Sequence, residues 1–374
     1  MLATLRARGA LTRQELGQLV GLSRATIVER LDVLSRLKLI RTIGFRESSG
    51  GRPAELLVAD DVGRVTLAVD IGANHAAVAV ADLRGTVIDL QRSRLPARHS
   101  PQRTVEEAIS AGQQLLRQTG RADDLCAVGV SVPGQIDHNL GTTVAPPPMP
   151  GWTAWPLRDA FADALGVPVL LENDANALTF GEYRTMGNPT ASVVGVTVSL
   201  GIGAGVVLNG RPYQGITSCA GEIGHIRVEG REERCDCGRR GCVAAIASGR
   251  ALVRQLRDAG ARSLSDVLRR ITAGDDQAVR LTADAGWFVG TVLATVVSII
   301  NPGYIRVGGT IGAQPPFLTG LREAVTAQAH PIALTKLSVE LAQTGENAML
   351  VGLAGLVADA VFAPTTVNEL AARL

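Results

Sequence analysis

Apolar positions recur at helical spacing through the first forty or so residues and then give way to short runs of β-branched and small side chains. Residues 11–20 read as a short helix and Gly21-Leu22 as a turn. Residues 23–37 read as a second helix, with Ser23 at its N-cap and Ile27, Leu31 and Leu34 on one face. A first helix over 2–8 begins almost at Met1. Residues 39–43 and 55–58 flank a polar, glycine-bearing turn over 47–53, which predicts the two strands of a wing. The order is that of a winged helix-turn-helix. From Val65 the pattern changes. Strands are predicted at 65–70, 76–81, 87–92, 127–132, 167–171 and 193–199, and helices at 104–118, 157–164, 175–186 and 277–300. This alternation is that of an α/β fold, with mixed sheets covered by helices. Residues 65–80 and 193–207 share the form strand, glycine turn, strand. The predicted division is a DNA-binding domain over 1–58, a linker over 59–64 and a body over 65–374.

The chain has 374 residues and is 46% apolar, enough to bury more than one core and too much for a disordered chain. Its net charge of +2 excludes a polycation that coats nucleic acid by charge alone. That total hides an asymmetry. Residues 1–55 carry ten basic and five acidic side chains, a local +5 that leaves −3 for the remainder. A small helical dimerisation module is the plainer reading of this segment. DNA binding explains more of it, because the turn, a second helix bearing Ser23, Arg24, Thr26 and Arg30, and a wing bearing Arg52 each have a separate part in groove docking. The N-terminus has no apolar core of signal-peptide length, and the longest apolar stretch, 287–300, is interrupted by Gly290, Thr291, Thr295 and Ser298. No membrane partner and a cytoplasmic location are expected. Five cysteines, three of them at Cys235, Cys237 and Cys242, suggest a metal site rather than a disulfide framework. Cys126 and Cys219 read as small core residues.

Four motifs carry candidate chemistry. In Val69-Asp70-Ile71-Gly72-Ala73-Asn74 a strand ends in an acid and a glycine turn, where a carboxylate can orient a magnesium-bound water and backbone N–H groups beside Gly72 can approach a phosphate. Ser199-Leu200-Gly201-Ile202-Gly203 repeats the form. Either turn alone is as well read as a β-hairpin whose glycines supply positive φ. Glu172-Asn173-Asp174-Ala175-Asn176 lies at a strand-to-helix junction, where Asn173 serves either as a helix cap or, with Asp174 accepting a proton beside it, as a polyol contact. The most specific is Gly221-Glu222-Ile223-Gly224-His225 followed by Cys235-Asp236-Cys237-Gly238-Arg239-Arg240-Gly241-Cys242. His225, Cys235, Cys237 and Cys242 supply a closed tetrahedral shell for one structural Zn2+ per chain.

These motifs, in this order behind a winged helix-turn-helix, resemble the ROK family of repressors, open reading frames and sugar kinases. Asn301-Pro302 leading to Gly308-Gly309 completes the likeness. The resemblance implies a two-lobed, actin-like ATPase fold with sugar in the cleft and the zinc loop beside it. It implies sugar contacts from Asn173, Asp174, Glu222 and His225, with Asp174 the catalytic base in members that are kinases and His225 binding zinc through one ring nitrogen and a hydroxyl through the other. Nucleotide contacts would fall to Asp70, Gly72, Gly201, Gly203, Gly308 and Gly309. The chain departs from the kinase pattern at Ala73-Asn74, where kinases carry threonine, and at Leu200, inside the second glycine turn. It also departs at Ala244 and Pro148, where sugar contacts are expected. The expectation is a sugar-responsive transcriptional repressor that binds operator DNA as a dimer or tetramer and takes a saccharide effector. The alternative is an ATP-dependent sugar kinase with an appended DNA-binding domain.

Overall fold

The computed structural model describes residues 1–46, 53–96, 99–144, 149–187 and 191–372. Arg52, Pro148 and the tip of the predicted wing turn lie outside the described residues.

At the N-terminus α1 (Leu2–Arg8) leads through β1 (Leu11–Thr12) into α2 (Arg13–Val20) and α3 (Arg24–Arg36). The predicted helix at 11–20 therefore starts two residues late. Thr12 and Glu15 form a capping box that stops the helix from extending backwards, leaving Leu11 and Thr12 extended to pair with a later strand. Gly21 ends α2 at φ 67°, a left-handed value that glycine adopts without steric cost, and Ser23 caps α3 by accepting from the Thr26 N–H. Strands β2 (Ile40–Arg46) and β3 (Ala54–Ala59) form the hairpin, and the three-stranded sheet has the order β1-β3-β2.

Two five-stranded sheets make up the body. The first comprises β4 (Val65–Ile71), β5 (His75–Asp82), β6 (Val87–Arg94), β7 (Leu125–Val132) and β10 (Val169–Asn173), in the order β10-β7-β4-β5-β6. A two-stranded ribbon, β8 (Ile136–Asp137) with β9 (Thr142–Thr143), lies between β7 and β10 in sequence. The second sheet comprises β11 (Val193–Val198), β12 (Ile202–Leu208), β13 (Arg211–Pro212), β14 (Tyr304–Gly308) and β15 (Ser338–Leu341), in the order β13-β12-β11-β14-β15. Each sheet opens with an antiparallel hairpin whose first strand also pairs in parallel with a later one. The central strands are apolar throughout because both their faces are covered. Helices α4 (Pro101–Gln118) and α5 (Leu157–Leu165) cover the first sheet, with Trp152 and Phe161 fully buried in its core.

Helix α6 (Asp174–Thr185) follows β10 and packs on β12, so its N-terminus lies where the two sheets approach. On its other side it crosses the helix Ala348–Val361 at backbone contact. A Cβ on Gly352 would lie 1.8 Å from the Ala177 carbonyl oxygen, and one on Gly181 would lie 2.3 Å from that of Ala348. No side chain fits at either position. The helix Asp276–Ile300 is, by length and composition, long and apolar enough to cross a membrane, yet Val289, Leu293 and Val297 are buried in the core of the second sheet.

One apolar cluster joins the N-terminal helices to the body: Leu5, Ile27, Leu31 and Leu57 pack in the same core as Leu83, Val357, Val361 and Phe362. Arg6 of α1 bonds Asp359 at 3.0 Å and lies 4.4 Å over the Phe362 ring, while Arg184, at the end of α6, approaches the same Asp359 oxygen at 3.8 Å. The intervening residues 60–64 are tied at both sides. The Asp60 N–H donates to Leu39, the Leu83 N–H to Asp61, and Arg121 to the Val62 carbonyl.

Candidate functional site

The candidate site is organised around the N-terminus of α6. Asn173 caps the helix, its Oδ1 accepting from the Ala175 and Asn176 N–H groups, while its amide donates to the Gly134 carbonyl at 2.8 Å. Capping and ligand contact are compatible, since the amide carries two hydrogens. Asp174 follows as the first helical residue and accepts from the Ala175 N–H at 2.8 Å. Burial, reinforced by the charge of Asp70, pushes its carboxyl up to about 7. Glu172 lies beneath them, buried, accepting from the Asn173 N–H, the Asn176 amide and, through its other oxygen, Gln214 at 2.7 Å. It ties the α6 N-terminus to the loop that follows β13.

The first glycine turn is more heavily furnished than its sequence suggests. Asp70 at the end of β4 accepts from Ser131 Oγ on β7 at 2.7 Å and from His75 Nε2 on β5 at 2.8 Å. The hydrogen bond to Asp70 raises the pKa of His75 against the opposing effect of burial. At the second turn the Thr310 N–H donates to Ser199 Oγ at 3.0 Å, and Gly203 lies against Ala175, where a Cβ would sit 3.3 Å from that side chain. Gly308 faces Leu178 of α6, and Gly309, at φ 86°, turns against the Val198 carbonyl.

Gly221 passes so close to β12 that a Cβ would meet the Ala204 carbonyl oxygen at 2.0 Å, and the Glu222 that follows it acts electrostatically on Asp174. Burial raises the pKa of Glu222, and its carboxylate lies 3.8 Å from His225 Nε2. The other ring nitrogen, Nδ1, lies 3.5 Å from Cys235 Sγ, and Cys237 Sγ lies 3.7 Å from Cys242 Sγ. One ligand atom from each of the four residues falls within 4.8 Å of the others. Two thiolates on one tetrahedral zinc stand about 3.8 Å apart and a thiolate and imidazole about 3.6 Å, so the separations fit such an ion. Cys126 is buried, as expected of a core residue, whereas Cys219 is not in the core: its thiol lies in an exposed turn and donates to the Thr217 carbonyl.

In the N-terminal segment α3 buries Ile27, Leu31 and Leu34 and leaves Arg24, Val28, Glu29, Arg30 and Arg36 exposed on its other side. Ser23 and Thr26 are joined at the cap by a 2.9 Å hydroxyl contact.

The ROK family model matches residues 66–360. The chain belongs to the ROK family. Among its relatives, the xylose repressor of Bacillus spizizenii is 27% identical over 93% of this chain and 91% of its own. Among solved structures, a ROK family transcriptional regulator described as a homolog of the E. coli MLC protein superposes with a TM-score of 0.81, at 23% identity, over 100% of this chain and 97% of that one. A ROK family glucokinase from Streptomyces griseus, solved with glucose and AMPPNP, gives a TM-score of 0.67 at 29% identity over 78% of this chain and 98% of that one. The α/β, actin-like ROK fold expected from the motifs is the fold found. What the motifs did not mark are Ser131, Gln214 and His75, and Glu172 stood in its motif without a role. The three unmarked residues lie outside every contiguous motif, so the sequence offered no signal for them.

Proposed function

We propose that this chain is a sugar-responsive transcriptional repressor. The observation that supports this reading is that xylose repressors match it over 93% of its length, more than the body alone. Residues 1–58 are read as the winged helix-turn-helix, 59–64 as the linker and 65–374 as the ligand-binding and oligomerisation body. Arg24 and Arg30 would meet base edges or phosphates in the major groove with Ser23 and Thr26 at the helix start, and Arg52 would enter the adjacent minor groove. A monomer reads one half-site, so a dimer or tetramer on a near-palindromic operator is part of the proposal. A cytoplasmic protein follows from this role.

The saccharide would lie between Asn173-Asp174 and Glu222-His225. One structural Zn2+ held by His225 Nδ1, Cys235, Cys237 and Cys242 would fix the imidazole so that Nε2 faces the ligand. Closure of the cleft on sugar would then move α6, and with it the Arg184–Asp359–Arg6 contact to α1, since a ligand shifts a conformational equilibrium by its differential affinity for the two states.

The test is a DNA-binding titration on fragments retained by the purified protein, repeated with a saccharide panel that begins with D-xylose. Arg24→Ala and Arg52→Ala should each weaken operator binding by about 1–3 kcal/mol where the contact is bidentate to a base. Asp174→Ala should keep operator affinity and lose the response to sugar. A parent whose operator affinity no saccharide changes would sink the reading. The rival kinase reading is favoured by Asp174 and by the glucokinase match, and ADP release across the same panel decides it.

A further inference from the structure

The first glycine turn is where this fold's kinases would receive a nucleotide phosphate, and here that place is filled by the chain itself. The Gly72 N–H donates to the His75 carbonyl at 2.9 Å, so it already has a partner. The His75 side chain then folds back over the turn. A Cβ on Gly72 would lie 2.2 Å from its Cε1, 2.5 Å from Nδ1 and 3.0 Å from Nε2, which places the ring against the glycine where open space would be needed for a phosphoryl group. Both ring nitrogens have neighbours: Nε2 bonds Asp70 Oδ2 at 2.8 Å, and Nδ1 lies 3.3 Å from Asn74 Oδ1. Asp70 is held from its other side by Ser131, so neither partner swings away freely.

The groups facing this turn are Asp70 on β4, Asp174 on α6, His75 on β5, Arg92 on β6 and His99, which bonds the Gly72 backbone, and Glu222 acts on Asp174 from beyond it. The hydrogen bond to Asp70, with the charges of Asp70 and Asp174, favours the protonated form of His75 against the effect of burial. A polyphosphate entering the turn would have to displace the ring and break its bond to Asp70. A neutral saccharide meets none of these costs, because Asn173, Glu222 and His225 approach the cleft from other elements.

We propose that His75 closes the first glycine turn to nucleotide, so that the cleft takes a neutral saccharide alone. The proposal deepens the sugar-sensor reading and rests on it, and the residue responsible is one that no phosphate-loop motif contains. The bland alternative is that His75 only stabilises a hairpin turn and that nucleotide is excluded, if at all, by Leu200 in the second turn.

The experiment uses the full chain with Mg·AMPPNP followed by calorimetry, in the parent, His75→Gly and His75→Gln, with saccharide binding measured on the same preparations. The parent should show no saturable nucleotide binding up to roughly millimolar concentration, and His75→Gly should gain at least about tenfold in affinity. His75→Gln, which keeps bulk and a donor for Asp70, should stay with the parent. Saturable binding to the parent within about threefold of His75→Gly overturns the proposal, and so does absence of binding to a folded His75→Gly. If that variant does not fold, parent binding below roughly millimolar concentration overturns the proposal by itself, and His75→Ser replaces the glycine variant. A parent that binds no saccharide overturns the sugar reading instead, and leaves the nucleotide titrations to judge His75 alone.

Discussion

The cysteine loop and the first glycine turn lie in the same cleft region and are built on opposite principles. In the loop all four donors come from residues 225–242, and two positive-φ glycines, Gly238 and Gly241, bend the chain so that the thiols converge. At the turn the groups come from three strands and a helix, and sheet register brings them together: Asp70 stands opposite Ser131 across β4 and β7. A local site of the first kind stands or falls as a unit. A dispersed site of the second kind can lose one member and keep its frame, because the backbone ladder rather than the side chains sets the spacing.

The largest effect should come from breaking the local site. Outer-shell changes at metal sites already cost about 10–100-fold in affinity, so Cys237→Ser, which removes a ligand from a closed shell, should cost at least about 100-fold. Metal analysis should then fall below about half an equivalent per chain, with fast amide exchange across residues 221–242. A full equivalent retained by that variant would mean that Cys237 is not a ligand of the ion.

Asp174→Asn probes the dispersed site through pH. The carboxyl of Asp174 stands at about 7 in the fold against an ordinary 3.8, so its charged form is disfavoured there. Stability contributed at this position therefore falls as pH rises from about 4 to about 7 and stays low above that. The asparagine variant escapes the penalty and should exceed the parent by about 1–3 kcal/mol at pH 8, a difference that disappears near pH 4 in denaturant titrations. Equal stability at both pH values would contradict the burial of Asp174 and its crowding by Asp70.

Smaller again is Ser131→Ala, which deletes a buried hydroxyl donor to Asp70 and should cost about 1–2 kcal/mol without changing metal content. Loss of metal from that variant would show the two sites to be one unit. Least costly is Asp359→Ala, whose pairs with Arg6 and Arg184 are partly exposed and contribute less than about 1 kcal/mol. Its readout is the sugar response of DNA binding, which should drop while operator affinity stays.

The chemistry that the sequence discloses is the chemistry that is contiguous in it. The C-x-C-G-x-x-G-C run and the helix cap at Asn173 announce themselves because each is finished within a few residues. His75 does not, for a histidine three residues past a glycine turn has no distinguishing neighbours until β5 folds back and places it against Asp70. The elements of the first sheet are equally plain, since alternating helices and strands are separated there by clear turns. The stretch holding β14, β15 and the helix Ala348–Val361 is not. That helix is apolar nearly all round because α6 and the first sheet cover it together, which erases the 3.6-residue periodicity that would have marked it.

The glycine crossing of α6 with the helix Ala348–Val361 has a mechanical consequence. Two helices that meet through interdigitated side chains can absorb a small displacement by rotamer changes, whereas these meet carbonyl to glycine with no deformable layer between them. A movement imposed at Asp174 cannot be dissipated along the way, and the pair must tilt as a single stiff beam whose far end carries Arg184 and Asp359. Stiffness of this kind should be visible as the slowest-exchanging amides of the molecule lying at Ala177, Gly181 and Gly352, and Gly352→Ala should soften the beam before it unfolds the body.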